Sequence, residues 1–83
     1  MDSEIAALPK PLQEIYEELP PWVNRREAER VTCRAVAVGT MANADSFGTG
    51  PATRLKVGKK VLYPKKDFVL WLASRTKIED SLV

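Results

Sequence analysis

Apolar residues recur at helical spacing in two stretches of the chain. In the segment 12–19 they stand three or four positions apart, at Leu12, Ile15, Tyr16 and Leu19. This spacing predicts an amphipathic helix with one apolar side and glutamates on the other. The same spacing predicts a helix over 65–76, whose buried side carries Phe68, Trp71 and Leu72. Residues 1–8 and 77–83 lack this pattern; we expect the first segment to be loosely ordered and the second to form a flexible tail.

Asn24 provides a start signal for another helix, predicted over 25–32. Its side chain can accept a hydrogen bond from a first-turn amide, and Glu27 three residues later completes a capping-box pattern. A shorter helix is predicted over 40–46, although Gly39 at its start is a poor helix former. Four apolar residues are expected on the buried sides of these two helices: Ala28, Val31, Met41 and Ala44.

Alternating apolar and polar residues on both sides of Gly58 predict a β-hairpin that ends at Pro64. Its apolar positions are Leu55, Val57, Val61 and Tyr63. The alternation predicts that these residues share one face and that basic residues occupy the other. The order helix, turn, helix, hairpin, helix predicts an α+β fold, a small winged helix-turn-helix with three to four helices and a two-stranded antiparallel wing.

The composition is that of a single small globular domain, with 83 residues of which 45% are apolar and 29% charged. We expect an acidic N-terminal extension with an amphipathic helix at 1–21, the winged helix-turn-helix at 22–76 and the tail at 77–83. No apolar run reaches the roughly 18–20 residues of a membrane-spanning helix, and no signal-peptide pattern is present. We therefore expect no membrane association and a cytoplasmic location.

The chemistry available to this sequence is limited. It contains one cysteine and no histidine, so an internal disulfide is excluded and a transition-metal site nearly so. Cys33 has no visible base partner and is predicted to be a buried or semi-buried structural thiol. The usual general base is missing, and the segment 48–50 is explained by a turn rather than a nucleotide loop. We expect neither an enzyme nor a bound metal or cofactor.

Positive charge is concentrated in the hairpin and the residues that follow it. Residues 1–20 carry one base and five acids, whereas residues 21–83 carry twelve bases and six acids. Six bases, uninterrupted by an acid, are the main candidate DNA contacts: Arg54, Lys56, Lys59, Lys60, Lys65 and Lys66. Lysines also protect exposed strand edges, but six bases exceed that need, so phosphate binding is favoured.

Other candidate DNA contacts precede the hairpin. Arg25 and Arg26 stand in a first helical turn, where free amides also favour phosphate, and Arg34 lies just after that helix. The candidates for reading base edges are Thr40, Asn43 and Ser46. An ordinary solvated surface remains the alternative for each of these residues. The aromatic residues are expected in the core rather than as stacking platforms for bases: Trp22, Tyr63, Phe68 and Trp71.

Two groups of residues carry a family resemblance. The first consists of Val23, Asn24, Glu27 and Ala28. The second consists of Gly48-Thr49-Gly50-Pro51, Gly58-Lys59-Lys60, Val61, Tyr63, Asp67-Phe68 and Trp71-Leu72. In type and order these residues resemble excisionase-type and phage AlpA-type regulators, small winged-helix proteins related to the MerR DNA-binding domain. The helix over 40–46 departs from that family, because it holds Asp45 and no basic residue.

The resemblance implies an architectural protein that binds double-stranded DNA in a bacterial or phage-infected cell. Several copies would self-associate on repeated sites, bend the DNA and direct an integrase or other recombinase towards excision of a phage or mobile element. A phage or mobile-element transcriptional regulator is the first alternative. A DNA-packaging small-subunit module remains open, as does a protein-interaction adaptor whose acidic helix over 12–19 engages a basic partner.

Overall fold

A computed structural model describes residues 2–79, which form five helices and a three-stranded antiparallel sheet. The helices are α1 (Ser3–Ala6), α2 (Lys10–Glu18), α3 (Arg25–Val31), α4 (Val38–Phe47) and α5 (Lys65–Ser74). The strands are β1 (Trp22–Asn24), β2 (Leu55–Val57) and β3 (Lys60–Pro64), in the spatial order β1-β3-β2. The predicted α+β fold class is confirmed. Helix α1 and strand β1 are additional to the predicted elements.

Helix α3 begins as its sequence predicts, with the Asn24 side chain accepting a hydrogen bond from the Glu27 amide at 2.7 Å. The second half of the predicted capping box is absent, because the Glu27 carboxylate pairs with Arg30 instead. Helix α4 ends at Gly48, whose φ of 73° is the left-handed conformation that glycine adopts most readily. The predicted helices are therefore present, with boundaries displaced by a few residues at most.

The N-terminal residues are helical rather than loosely ordered. Asp2 caps α1 by accepting a hydrogen bond from the Glu4 amide at 2.9 Å, and Ile5 is fully buried. The Gln13 side chain then donates to the Leu8 carbonyl at 2.7 Å, which fixes the connection to α2. The acidic segment thus packs into the same core as the rest of the chain. Of the predicted tail, residues 77–79 have no regular secondary structure and 80–83 lie outside the described residues.

The core lies between the inner face of the sheet and the helices. The predicted core residues Tyr63, Phe68 and Trp71 are buried, and the Trp71 indole nitrogen donates to the Thr49 carbonyl at 2.7 Å. Trp22 is an exception to the prediction, because 47% of it remains exposed in β1. Further buried apolar residues come from the five helices, from β1 and from the connecting segments: Ile5, Leu12, Leu19, Val23, Ala28, Val36, Met41, Ala44, Val69 and Leu72.

The register of the β2–β3 hairpin, hereafter the wing, contradicts the predicted faces. A two-residue turn with Gly58 at φ 61° pairs Val57 with Lys60 and Leu55 with Leu62. Residues directly opposite each other share a face, so Leu55 and Val57 lie on the outer face, away from Tyr63. They are 46% and 55% exposed. On the other edge of β3, strand β1 pairs Val23 with Tyr63, and both of these residues are fully buried on the inner face of the sheet.

The turn between α3 and α4 contains two consecutive left-handed residues, Cys33 at φ 53° and Arg34 at φ 68°. The Thr32 hydroxyl accepts a hydrogen bond from the Val36 amide at 3.1 Å and donates to the Ala28 carbonyl at 2.8 Å. Cys33 is exposed, which contradicts its predicted burial. The reason is its position in this turn, beyond the end of the buried side of α3.

Candidate nucleic-acid interface

A cleft of about 170 Å³ lies between the start of α3, the start of α4 and the tip of the wing. Its lining contains four basic residues: Arg25, Arg26, Lys59 and Lys60. A wider groove continues from it along α3 and shares Arg26 and Val38 with the cleft. The groove adds Arg30 and Arg34, with Glu29 just before Arg30 in sequence. Predicted DNA contacts that are distant in sequence therefore form one basic surface.

The bases of the cleft differ in whether an acid neutralises them. Within residues 2–79, no carboxylate forms an ion pair with Arg26, Lys56, Lys59 or Lys60, all of which are exposed. Their charge is available to an external anion. Lys56 does not line the cleft; it lies in β2 directly opposite Val61, which does.

Arg25 and Arg54, in contrast, have an acidic partner, because both contact Asp45 of α4. Arg25 Nη2 lies 2.7 Å from Asp45 Oδ2, and Arg25 Nε donates to the Tyr63 hydroxyl at 3.0 Å. The Tyr63 hydroxyl in turn donates to Asp45 Oδ2. Arg54 Nη1 donates to the Asp45 backbone carbonyl at 3.3 Å and lies 3.4 Å from Oδ1. We call these four residues the Asp45 junction; it joins α3, α4, β3 and the base of the wing.

Burial and hydrogen bonding act in opposite directions on the Asp45 carboxyl. Only 6% of its side chain is exposed, and burial alone would raise its pKa. Hydrogen bonds from Tyr63 and Arg25, with the charges of Arg25 and Arg54, outweigh burial and lower the pKa below the ordinary value. The pKa of Tyr63 is raised by burial and by its hydrogen bond to Asp45. At neutral pH the junction therefore holds an ionised carboxylate between two guanidinium groups.

Gly50, in the segment that leads into the wing, packs against the Asp45 carboxylate. A Cβ atom at this position would lie 2.3 Å from Asp45 Oδ1, closer than any side chain tolerates. The carboxylate has little room to move away, because Arg25 and Tyr63 hold its other oxygen. Glycine is thus required at the two positions of the segment 48–50 for different reasons. Gly48 ends α4 in a left-handed conformation, and Gly50 leaves space for the Asp45 carboxylate.

Lys65 and Lys66 do not join the cleft. The Lys66 ammonium lies 3.0 Å from carboxylate oxygens of both Asp2 and Glu4. These hydrogen bonds raise the pKa of Lys66, and the one from Lys66 lowers the pKa of Asp2. The Lys65 ammonium lies 4.2 Å from the centre of the Tyr16 ring, a cation–π contact. Both lysines are therefore occupied by the N-terminal helices.

Helix α4 presents its polar residues to solvent. Thr40, Asn43 and Ser46 lie on its outer side, while Met41, Ala44 and Asp45 face the interior. At intervals of three residues, the outer set occupies one side of the helix. Phe47, at the end of the helix, is 81% exposed. The predicted base-reading residues thus share an accessible surface that carries no charge of its own.

Glu29 and Asp45 are two acidic site residues that sequence reasoning missed. Glu29 Oε2 accepts a hydrogen bond from the Val38 amide at 3.2 Å and so caps α4, while its other oxygen lies 3.3 Å from Arg34 Nε. Arg34 is thereby paired rather than free. One signal was available for Asp45, the only acid between Glu29 and Asp67 in a basic part of the sequence. An isolated acid among several arginines is a candidate counter-charge.

Within residues 2–79, no helix has the length and apolar character needed to cross a bilayer, and no three potential ligands converge as a metal site. Comparison of the chain with protein-family models, with curated proteins and with solved structures gives no match.

Proposed function

We propose that this protein binds double-stranded DNA through the phosphates of its backbone. The observation that carries the proposal is the convergence of Arg26, Lys59 and Lys60 on one cleft without an acidic partner among the described residues. These residues come from a helix start and a hairpin tip that are far apart in sequence. Cations that converge in this way attract a dense line of negative charge, and phosphate contact releases the counterions of DNA.

In this proposal the exposed side of α4 lies along the base edges. Thr40 and Asn43 supply donors and acceptors there, and Asn can form two hydrogen bonds with adenine. Phosphate contacts from the cleft would fix the position of the protein on the duplex, while α4 would supply the sequence preference. Because the exposed side of α4 is uncharged, the electrostatic part of the affinity falls to the cleft and the wing.

The more specific role that we propose is that of an excisionase-like architectural protein. Support for it comes from the motif that runs from Gly48-Thr49-Gly50-Pro51 to Trp71-Leu72, whose resemblance to excisionase-type regulators also implies self-association on repeated sites. Such a protein bends DNA and so brings the sites of a recombinase together. Bending can be measured by energy transfer between dyes at the two ends of a bound duplex. Binding without bending would contradict the architectural role.

The DNA proposal is tested with the double variant K59A/K60A. Fluorescence anisotropy with a random duplex between ~50 and ~200 mM salt gives the affinity and its salt dependence. We expect weaker binding, and a slope of log K against log salt that is smaller by about 0.9 for each phosphate that the variant no longer neutralises. R26A removes a single cation from the cleft and is expected to reduce the slope by about 0.9.

The matched control is K10A/K77A, which removes the same charge from α2 and from the segment after α5, outside the cleft. We expect it to change the slope little. If the wild-type protein does not bind duplex at ~50 mM salt, the DNA proposal is wrong and an adaptor function is favoured. Equal slopes for the two double variants would show that the cleft is not the DNA-binding surface.

A further inference from the structure

Arg54 stands at the base of the wing with only part of its guanidinium occupied. Nη1 contacts the backbone and side chain of Asp45, at 3.3 and 3.4 Å. Among the described residues, Nε and Nη2 of Arg54 have no hydrogen-bond partner, and 49% of the side chain is exposed. A guanidinium has five N–H donors in a fixed plane, so contact through one nitrogen restricts the directions in which the others can point.

The carboxylate that Arg54 contacts is held firmly. Asp45 has 6% of its side chain exposed, and its Oδ2 receives hydrogen bonds from Arg25 and Tyr63. Oδ1 is buried without a hydrogen bond, and Arg54 is the cation next to it. Gly50 closes the space on that side. A carboxylate held in this way can restrict a long side chain that would otherwise sample many rotamers.

The charge of this group still favours an approaching phosphate. Two guanidinium groups surround one carboxylate, so the Asp45 junction carries a net positive charge. The carboxylate is buried, whereas half of Arg54 is exposed, and a phosphate therefore meets the cation first. Restricting Arg54 before binding reduces the side-chain entropy cost of forming the complex.

We propose that Asp45 is a positioning residue for DNA binding, which holds Arg54 with its unoccupied N–H groups directed at a backbone phosphate. This inference rests on the proposed DNA-binding function. It assigns the DNA contact to Arg54 and the orientation of that contact to Asp45. Tyr63 and Arg25 hold the Asp45 carboxylate in place through hydrogen bonds to Oδ2.

The test is a double-mutant cycle between D45N and R54A, read out by duplex affinity and salt slope. Asn keeps the size of Asp but removes its charge. We expect R54A to weaken binding about tenfold and to lower the slope by about 0.9, as expected for one charge-assisted phosphate contact. D45N is expected to weaken binding by a smaller factor, and D45N/R54A no more than R54A alone. If the effects of D45N and R54A multiply, Asp45 has a structural role only and the inference is wrong.

Y63F provides a second route to Asp45 that changes no charge, and it keeps the test informative if D45N fails to fold. It removes the hydroxyl that donates to Asp45 and should weaken binding in the wild-type background but not in R54A. If R54A leaves affinity and slope unchanged while K59A/K60A lowers both, this inference is overturned and the DNA proposal stands. If the wild-type protein does not bind duplex, the DNA proposal itself has failed.

Discussion

The base and the tip of the wing hold basic residues in different physical states. At the base, Arg54 contacts the buried carboxylate of Asp45, which also pairs with Arg25. At the tip, Lys59 and Lys60 are exposed and have no acidic partner within residues 2–79. The sequence presents the three bases as one uniform run. The fold separates them, because the acid that pairs with Arg54 comes from helix α4.

A count of basic residues in the sequence therefore overestimates the positive charge available for binding. Lys66 is a further example, since Asp2 and Glu4 of the N-terminal segment pair with it. Arg54, at the base of the wing, is expected to serve both the fold and DNA binding, whereas the lysines at the tip are expected to serve binding alone. Changes at the tip should therefore lower DNA affinity without lowering stability.

The largest effect on stability is expected from D45A at the base. It leaves Arg25 and the buried Tyr63 hydroxyl without their shared acceptor. Breaking a fully buried ion pair costs about 3–5 kcal/mol, and we expect roughly 2–3 kcal/mol here because both arginines reach solvent. Urea denaturation followed by circular dichroism measures the free energy of unfolding.

K59A/K60A is the matching change at the tip, and its free energy of unfolding should stay within about 0.5 kcal/mol of the wild type, as for surface substitutions in general. A destabilisation at the tip as large as that of D45A would remove the distinction between the two places. A D45A protein that is as stable as the wild type would also contradict this distinction.

A smaller destabilisation is expected from G50A. The added methyl group would overlap Asp45 Oδ1, and the carboxylate would have to leave its partners. Overpacking of this kind costs about 1–3 kcal/mol. G39A is the matched control, because a Cβ at Gly39 meets no atom within 4 Å and the position lies in α4. There we expect a stabilisation of about 0.4–1 kcal/mol in the same denaturation experiment. Equal effects of the two substitutions would contradict the close approach at Gly50.

The smallest expected effect is the loss of folding stability at acidic pH. The pKa of Asp45 is lower in the folded protein than in the unfolded chain, so its ionised form stabilises the fold above about pH 4. This contribution disappears as pH falls through the folded pKa. The stability difference between wild type and D45N should therefore shrink below about pH 4. Asp2 and Glu27 also have lowered pKa values, but both variants contain them and their effects cancel. A difference that stays constant from about pH 6 to about 2.5 would show that Asp45 is not the titrating group.

The helices were predictable because their signals are local. Apolar spacing marks α2 and α5, and Asn24 marks the start of α3. Strand β1 was missed because three residues show too little alternation to identify a strand, and its pairing partner is distant in sequence. The outer position of Leu55 follows from the length of the turn. A turn of two residues places each odd-numbered residue of β2 opposite an even-numbered residue of β3, so Leu55 lies opposite Leu62. Alternation alone does not fix that register.

The sequence predicts which residue types form the candidate site, but not which of these residues lie together in the fold. The basic run identified Lys59 and Lys60, and the start of α3 identified Arg26. The pairing of Arg25, Arg54 and Lys66 with acids depends on tertiary contacts that no local pattern encodes. Asp45 is an isolated acid in a basic part of the sequence, whereas in the fold it is the centre of a junction.

The two tryptophans give this small protein two built-in optical reporters. Trp71 is buried and hydrogen-bonded to the Thr49 carbonyl, whereas Trp22 is half exposed in β1, two residues before the Asn24 that lines the cleft. Their native fluorescence should consist of a blue-shifted component that a soluble quencher barely reaches and a red-shifted one that it quenches readily. Disappearance of the first reports unfolding, and a change in the second reports an event beside the cleft. Folding and ligand binding can therefore be followed in the same cuvette without a label.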